Sequence, residues 1–82
     1  MLRRFITEVT PMEDHILQGL FVSGSKVLLD MKPHLDSVRF FPLKEPEVWR
    51  SATTNGVFVR FGDVELSHDE ILTMLEQHSD LI

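Results

Sequence analysis

The first part of the chain shows the two-residue alternation of apolar and polar side chains that is typical of β-strands. The pattern predicts three strands, at residues 4–10, 15–22 and 26–31. Pro11 ends the first strand because proline cannot donate a hydrogen bond to a ladder. Gly24 supplies the positive φ that a tight hairpin needs between the second and third strands. Asp30 and Pro33 end the third strand, so Gly24 and Asp30 are predicted to have structural roles.

The middle of the chain, residues 37–51, follows neither the strand period nor the helix period and predicts short helical turns. Its apolar segment at residues 40–43 is too short to form an element of its own. Pro46 suits the first position of a helical turn. Trp49, the single tryptophan, is predicted to anchor the core because an indole buries a large apolar area.

The last third of the chain returns to regular patterns. Residues 57–61 alternate strictly after the turn dipeptide Asn55-Gly56, and residues 64–66 lead into a helix. Ser67 and Glu70 form a capping box, in which each side chain accepts a hydrogen bond from the backbone N–H of the other. Apolar residues then recur at helical spacing and predict a helix at residues 68–78. The predicted stripe comprises Ile71, Leu72, Met74, Leu75 and His78.

Together these elements predict an α+β domain. We expect a small antiparallel sheet of four to five strands, built from the N-terminal hairpin and the later strands, with one C-terminal helix packed on it. Residues 1–82 are expected to form one domain, because 82 residues is below the usual domain size. A chain of this length buries only about 60–65% of its unfolded surface, so a second subunit would add to a thin core.

Both faces of the predicted N-terminal hairpin are apolar. One face carries Leu17, Phe21, Val27 and Leu29. The opposite face carries Ile16, Leu20, Val22 and Leu28. One helix of about three turns cannot cover both faces of a sheet. Two interpretations stay open: either residues 40–49 wrap the second face, or that face is an interface with a second subunit or a partner, since large exposed apolar patches mark contact sites.

The charge balance disfavours nucleic acid as a partner. The chain has 8 Lys and Arg against 13 Asp and Glu, for a net charge of −5. Nucleic-acid binding draws on cations that neutralise phosphates, and here only Arg3 and Arg4 are adjacent. Anionic membrane surfaces are disfavoured for the same reason, and the apolar runs are too short to span a bilayer. We expect a cytoplasmic protein that does not bind membranes.

No catalytic, cofactor-binding or metal-binding motif is present, so we expect neither an enzyme nor a cofactor. The absence of cysteine excludes thiolate nucleophiles and zinc–cysteine sites. The histidines, at positions 15, 34, 68 and 78, lack metal-ligand spacing. No nucleophile elbow and no glycine-rich phosphate loop occurs. Among the carboxylates, Glu65 is the one that capping or turn geometry explains least.

Several motifs together resemble family 2442 of the domains of unknown function. They are Phe21-x-x-Gly24, Asp30, Phe40-x-Pro42-Leu43-x-x-Pro46-x-x-Trp49, Gly56, Val59-x-Phe61 and Glu65-Leu66-x-x-Asp69. The resemblance implies a small bacterial α+β domain without established catalytic residues. Some members are fused to a helix-turn-helix domain, and some are encoded beside a toxin-like protein. This chain departs from the family at Ser23, Trp49, Phe61 and Glu65, where the family often has Asn, Phe, Trp and Asp respectively.

Three hypotheses follow for the function. The first is an interaction module that pairs with itself or with a small protein encoded nearby, for which the resemblance implies an antitoxin-like role. The second is a small-molecule or metal-binding protein that uses Asp30, Glu65 or a histidine. The third is a DNA-associated regulator, which would need its cations to cluster on one surface.

Overall fold

The structure, a computed structural model, describes residues 5–78. It contains six strands and two α-helices, and short 3-10 turns join several of them. The strands are β1 (Ile6–Met12), β2 (Ile16–Phe21), β3 (Lys26–Asp30), β4 (Thr53–Thr54), β5 (Phe58–Phe61) and β6 (Val64–Ser67). The helices are α1 (Pro46–Arg50) and α2 (His68–His78). The 3-10 turns are Glu13–His15, Lys32–His34 and Phe41–Lys44. No helix among these residues is long and apolar enough to span a membrane.

The strands form two antiparallel sheets instead of the single sheet of four to five strands that the pattern predicted. The N-terminal sheet has the order β1-β2-β3, and the C-terminal sheet has the order β4-β5-β6. The sheets meet where the backbone N–H groups of Phe5 and Ile6 both donate to the carbonyl of Gly56, at 2.8 and 3.0 Å. One shared carbonyl does not make a ladder, and β4 has only two residues to offer. The α+β class and the C-terminal helix are as expected.

β1 continues through Pro11, which was predicted to end it. Pro11 lies opposite Leu17 of β2, and β1 is an edge strand. Neighbouring residues of a strand direct their backbone groups to opposite sides. The N–H of Val22 donates to Phe5 O, next to β1, at 2.9 Å. Counting back by alternate residues, the N–H of Leu17 points to the other side, towards β3. Pro11 lies opposite Leu17, so its nitrogen points away from β2 and no β1–β2 hydrogen bond is lost. An edge tolerates proline at such a position.

The β2–β3 hairpin turns at Gly24 with φ of +95°, as the sequence predicted. The β1–β2 connection is less regular, because Asp14 and His15 adopt positive φ angles of 62° and 56°. Such angles are rare outside glycine. Three contacts hold this connection: Trp49 Nε1 donates to Met12 O at 3.0 Å, Lys32 Nζ donates to Asp14 O at 3.0 Å, and His15 Nε2 donates to Leu43 O at 2.9 Å.

The core lies between the two sheets, α2 and the middle segment. Its buried side chains are Ile6, Leu17, Leu29, Met31, Phe40, Leu43, Trp49, Val59, Phe61, Val64, Leu66, Ile71 and Met74. Trp49 stacks on Phe61 with ring centroids 5.3 Å apart, which is the anchoring role expected of it. The apolar segment at residues 40–43, which was expected to form no element of its own, contributes to the 3-10 turn Phe41–Lys44 and buries Leu43.

α2 begins at the predicted capping box. Glu70 N–H donates to Ser67 Oγ at 3.1 Å, and Ser67 N–H donates to Glu70 Oε1 at 3.0 Å. These two bonds satisfy backbone donors that the first helical turn leaves without a partner. Ile71 and Met74 bury the inner side of the helix, whereas Leu72 remains exposed. The predicted place of His78 in the stripe lies outside the described side chains.

Candidate interaction surface

The two faces of the N-terminal sheet have different environments. Residues directly opposite each other in adjacent strands share a face. The register therefore places Leu17 and Leu29 together on the inner face, where both are buried. The same register places Ile16, Gln18 and Leu20 of β2 on the outer face, together with Leu28 of β3.

The outer face combines apolar side chains with charges of both signs, and we call it the outer surface of the N-terminal sheet. Across the sheet, its rows are Met12–Ile16–Asp30, Thr10–Gln18–Leu28 and Glu8–Leu20–Lys26. Val22 follows β2 at the hairpin. Leu28 is 58% exposed, Val22 57% and Met12 40%, while Ile16 and Leu20 are half-buried. Exposed apolar side chains grouped on one face are typical of contact sites.

The middle segment does not cover this surface. Phe40, Leu43 and Trp49 belong to the same buried cluster as Leu17 and Leu29 and lie on the inner side. The first interpretation, in which residues 40–49 wrap the second face, is therefore wrong. The large side chains of the segment pack instead with the inner face, the C-terminal sheet and α2 in one core. Among residues 5–78, the outer surface has no covering element.

Lys26, which lies on this surface, forms no ion pair with a carboxylate among the described residues. Lys32 pairs with Asp30 at 3.1 Å, Lys44 with Asp36 at 3.3 Å, Arg39 with Glu70, and Arg60 with Glu65. Lys26 and Glu8 form no ion pair within the described part of the chain, although both lie in one row of the outer surface. Asp30 also accepts a hydrogen bond from Lys32 N–H at 2.9 Å, which fits its predicted structural position at the end of β3.

A second candidate site is an open groove beside α2, with a volume of about 320 Å³, lined by His34, Arg39, Phe40, Asp69, Glu70, Thr73 and Met74. Arg39 is the cation that could bind an anionic ligand there. Its guanidinium donates to both carboxylate oxygens of Glu70 and, at 2.7 Å, to Glu65 O. The Arg39 hydrogen bond lowers the pKa of Glu70 to about 2. Arg39 therefore stabilises the start of α2 and has its donors engaged within the chain.

The remaining predicted candidates are also held by local contacts. The Glu65 carboxylate accepts a hydrogen bond from Arg60 Nε at 3.0 Å. The His68 ring stacks on Phe5 with centroids 3.9 Å apart, and its Nε2 lies 3.3 Å from Asp69 Oδ1. Its Nδ1 is buried and has no hydrogen-bond partner among residues 5–78. No three His, Asp or Glu residues in that range lie close enough together to hold a metal ion.

Sequence reasoning missed the role of Arg39 and the contacts that hold the β1–β2 connection. The whole C-terminal sheet lies between Arg39 and Glu70 in the sequence, so no local pattern indicates the pair. The capping box was the available signal, because a glutamate at that position has a second carboxylate oxygen free to accept from a cation.

Scans of protein-family models, curated proteins and solved structures each give no match to this chain. The resemblance to family 2442, and the antitoxin-like role that it implies, therefore stay predictions.

Proposed function

We propose that this protein is a homotypic interaction module, in which two copies associate through the outer surface of the N-terminal sheet. The observation that carries the proposal is the contrast between adjacent residues of β3. Leu29 is 1% exposed in the core, whereas Leu28 is 58% exposed on the opposite face. A small chain with a thin core gains stability when a second subunit covers such apolar area.

Charge supports a second copy over other partners. The outer surface carries Glu8 and Asp30 as well as Lys26, so it has groups complementary to its own. A nucleic acid would need a surface rich in cations. Within residues 5–78, Arg39, Arg60, Lys32 and Lys44 each pair with a carboxylate instead of forming such a patch. A partner surface that is apolar with both signs of charge is what a second copy provides.

Sedimentation velocity over a range of protein concentrations tests the proposal. The wild-type chain is expected to shift from monomer to dimer as concentration rises. Leu28→Asp places a charge in the contact and is expected to leave the chain monomeric, because an unpaired charge is costly to bury. Val38→Asp is the matched control, since Val38 is 94% exposed and lies outside both sheets.

Two outcomes would overturn the proposal. One is a wild-type chain that stays monomeric at every concentration up to that of an NMR sample. The other is a dimer that Leu28→Asp and Val38→Asp affect equally, because the contact would then lie elsewhere. Circular dichroism of each variant establishes that the fold is retained.

A further inference from the structure

The two edges of the N-terminal sheet differ in how well they are protected from pairing with another strand. Edge strands expose backbone donors and acceptors, and proteins often block them with proline or a bulge. β1 has both, because Pro11 lies in the strand and the register shifts between Ile6 and Glu8. The carbonyl of Gly56 also covers its start. β3 has neither proline nor a bulge in its pairing with β2.

The backbone groups of alternate β3 residues point to this open edge. Phe21 N–H donates to Ser25 O at 2.8 Å, and Met31 N–H donates to His15 O at 2.9 Å. Between these two bonds, the antiparallel alternation directs the backbone groups of Val27 and Leu29 towards β2. The N–H and carbonyl groups of Lys26, Leu28 and Asp30 therefore point away from β2.

We propose that β3 pairs antiparallel with β3 of a second copy about a twofold axis at Leu28, which joins the two N-terminal sheets into one continuous sheet. This inference rests on the proposed self-association and places its contact at the β3 edge. Of the apolar side chains on the outer surface, Leu28 then meets its counterpart, whereas Met12 and Val22 lie away from the contact. With the axis at Leu28, each Leu28 lies opposite its counterpart, and each Lys26 lies opposite Asp30 of the second copy. The outward backbone groups then meet as mutually hydrogen-bonded pairs.

Side-chain chemistry favours this register. Directly opposite residues share a face, so the two exposed Leu28 side chains contact each other on the joined outer surface. Lys26, which has no ion pair among residues 5–78, meets the Asp30 carboxylate of the second copy on each side of the axis, a carboxylate that also pairs with Lys32. A shift by one residue would direct the inward-facing groups of Val27 or Leu29 to the interface and lose these bonds.

Cysteine cross-linking tests the register directly, because the chain has no cysteine of its own. Opposed Cα atoms in a hydrogen-bonded antiparallel pair lie about 5.5 Å apart, within disulfide range. Oxidised Leu28→Cys is expected to run as a covalent dimer. Leu20→Cys is the control: it lies on the same outer surface but in the central strand. If Leu20→Cys cross-links and Leu28→Cys does not, the sheets pack face to face, and the edge model is wrong while the proposed function stands.

Exchanging the charges at positions 26 and 30 gives a second, independent test of the register. Lys26→Glu places Glu opposite Asp30 twice in a homodimer, and Asp30→Lys places Lys opposite Lys26 twice. Each variant alone is expected to raise the dimer Kd by roughly tenfold. An equimolar mixture is expected to restore near-wild-type association, because the mixed dimer pairs opposite charges at both positions.

The results separate the two proposals. A wild-type monomer overturns the proposed function itself. A wild-type dimer in which neither variant weakens association, or in which the mixture does not restore it, overturns the edge register alone. Circular dichroism checks that Asp30→Lys is folded, since that change removes the contacts of Asp30 with Lys32. If Asp30→Lys is unfolded, the dimer Kd of Lys26→Glu alone tests the charge pairing.

Discussion

The two sheets share one simple order, three antiparallel strands connected in sequence, yet their outer faces differ in charge pairing and in exposed apolar side chains. In the C-terminal sheet, Thr53, Arg60 and Glu65 form a row across the outer face, and Arg60 and Glu65 pair with each other. Phe58 is the large apolar side chain exposed on that sheet. In the N-terminal sheet, the corresponding rows contain Met12, Leu28 and Lys26, which forms no ion pair among residues 5–78.

This difference shows that topology alone does not decide which surface a small domain offers. The C-terminal sheet satisfies its outer charges within the chain and leads into α2 through a capping box that Arg39 reinforces. The N-terminal sheet leaves apolar side chains exposed on its outer surface. At its β3 edge, Lys26 forms no ion pair among residues 5–78, and the backbone groups of alternate residues point outward. Association of copies is expected at the N-terminal sheet and not at the C-terminal sheet.

Alanine substitutions at the adjacent β3 positions 28 and 29 are expected to show the largest difference between the two faces of the N-terminal sheet. Leu29→Ala is expected to lower the free energy of unfolding by about 2–5 kcal/mol, because it leaves a cavity in the core. Leu28→Ala is expected to change the monomer by less than about 0.5 kcal/mol, as for other surface positions. Urea denaturation at low protein concentration measures both. Equal losses would mean that the outer face is packed, contrary to the account.

The paired charges of the C-terminal half make a smaller and pH-dependent contribution. Arg39 lowers the pKa of Glu70 from 4.5 to about 2. The charged form is favoured in the folded state, so this stabilisation is complete above the unfolded pKa of Glu70 and is lost as pH falls from about 4.5 to about 2. Because both groups are partly exposed to solvent, the loss is expected to be about 1 kcal/mol.

Glu70→Gln sharpens this test because glutamine can still serve in a capping box but cannot form the ion pair. The variant is expected to lose about 1 kcal/mol at neutral pH and to show a flatter decline in acid than wild type. Thermal unfolding across that pH range measures the difference. Glu76→Gln, on the exposed side of the same helix, is the control. A Glu70→Gln variant whose acid decline matches wild type would contradict the assigned role of Arg39.

Features set by neighbouring residues could be predicted from the sequence. The hairpin at Gly24, the Ser67–Glu70 capping box and the extent of α2 depend on contacts within a few positions, and the structure contains each of them. The alternation in β2 and β3 also indicated two apolar faces. Trp49 was placed in the core because its size leaves few other options.

Features that depend on distant contacts could not be predicted. The division into two sheets depends on the junction at which the N–H groups of Phe5 and Ile6 share the Gly56 carbonyl, a contact between residues that are distant in the sequence. The positive φ angles of Asp14 and His15 are held by Trp49, Lys32 and Leu43, which lie far along the chain. The sequence likewise did not indicate which face of the hairpin the middle segment covers, because that depends on contacts of its large side chains with distant core residues.

Amide hydrogen exchange at Leu28, followed by NMR as a function of protein concentration, tests the central claim most directly. The Leu28 N–H points away from β2, so we expect fast exchange in the monomer and slower exchange as concentration rises and copies associate. The Leu29 N–H, which points towards β2, is the internal reference and should exchange slowly throughout. A Leu28 amide that exchanges equally fast at every concentration would contradict pairing at the β3 edge.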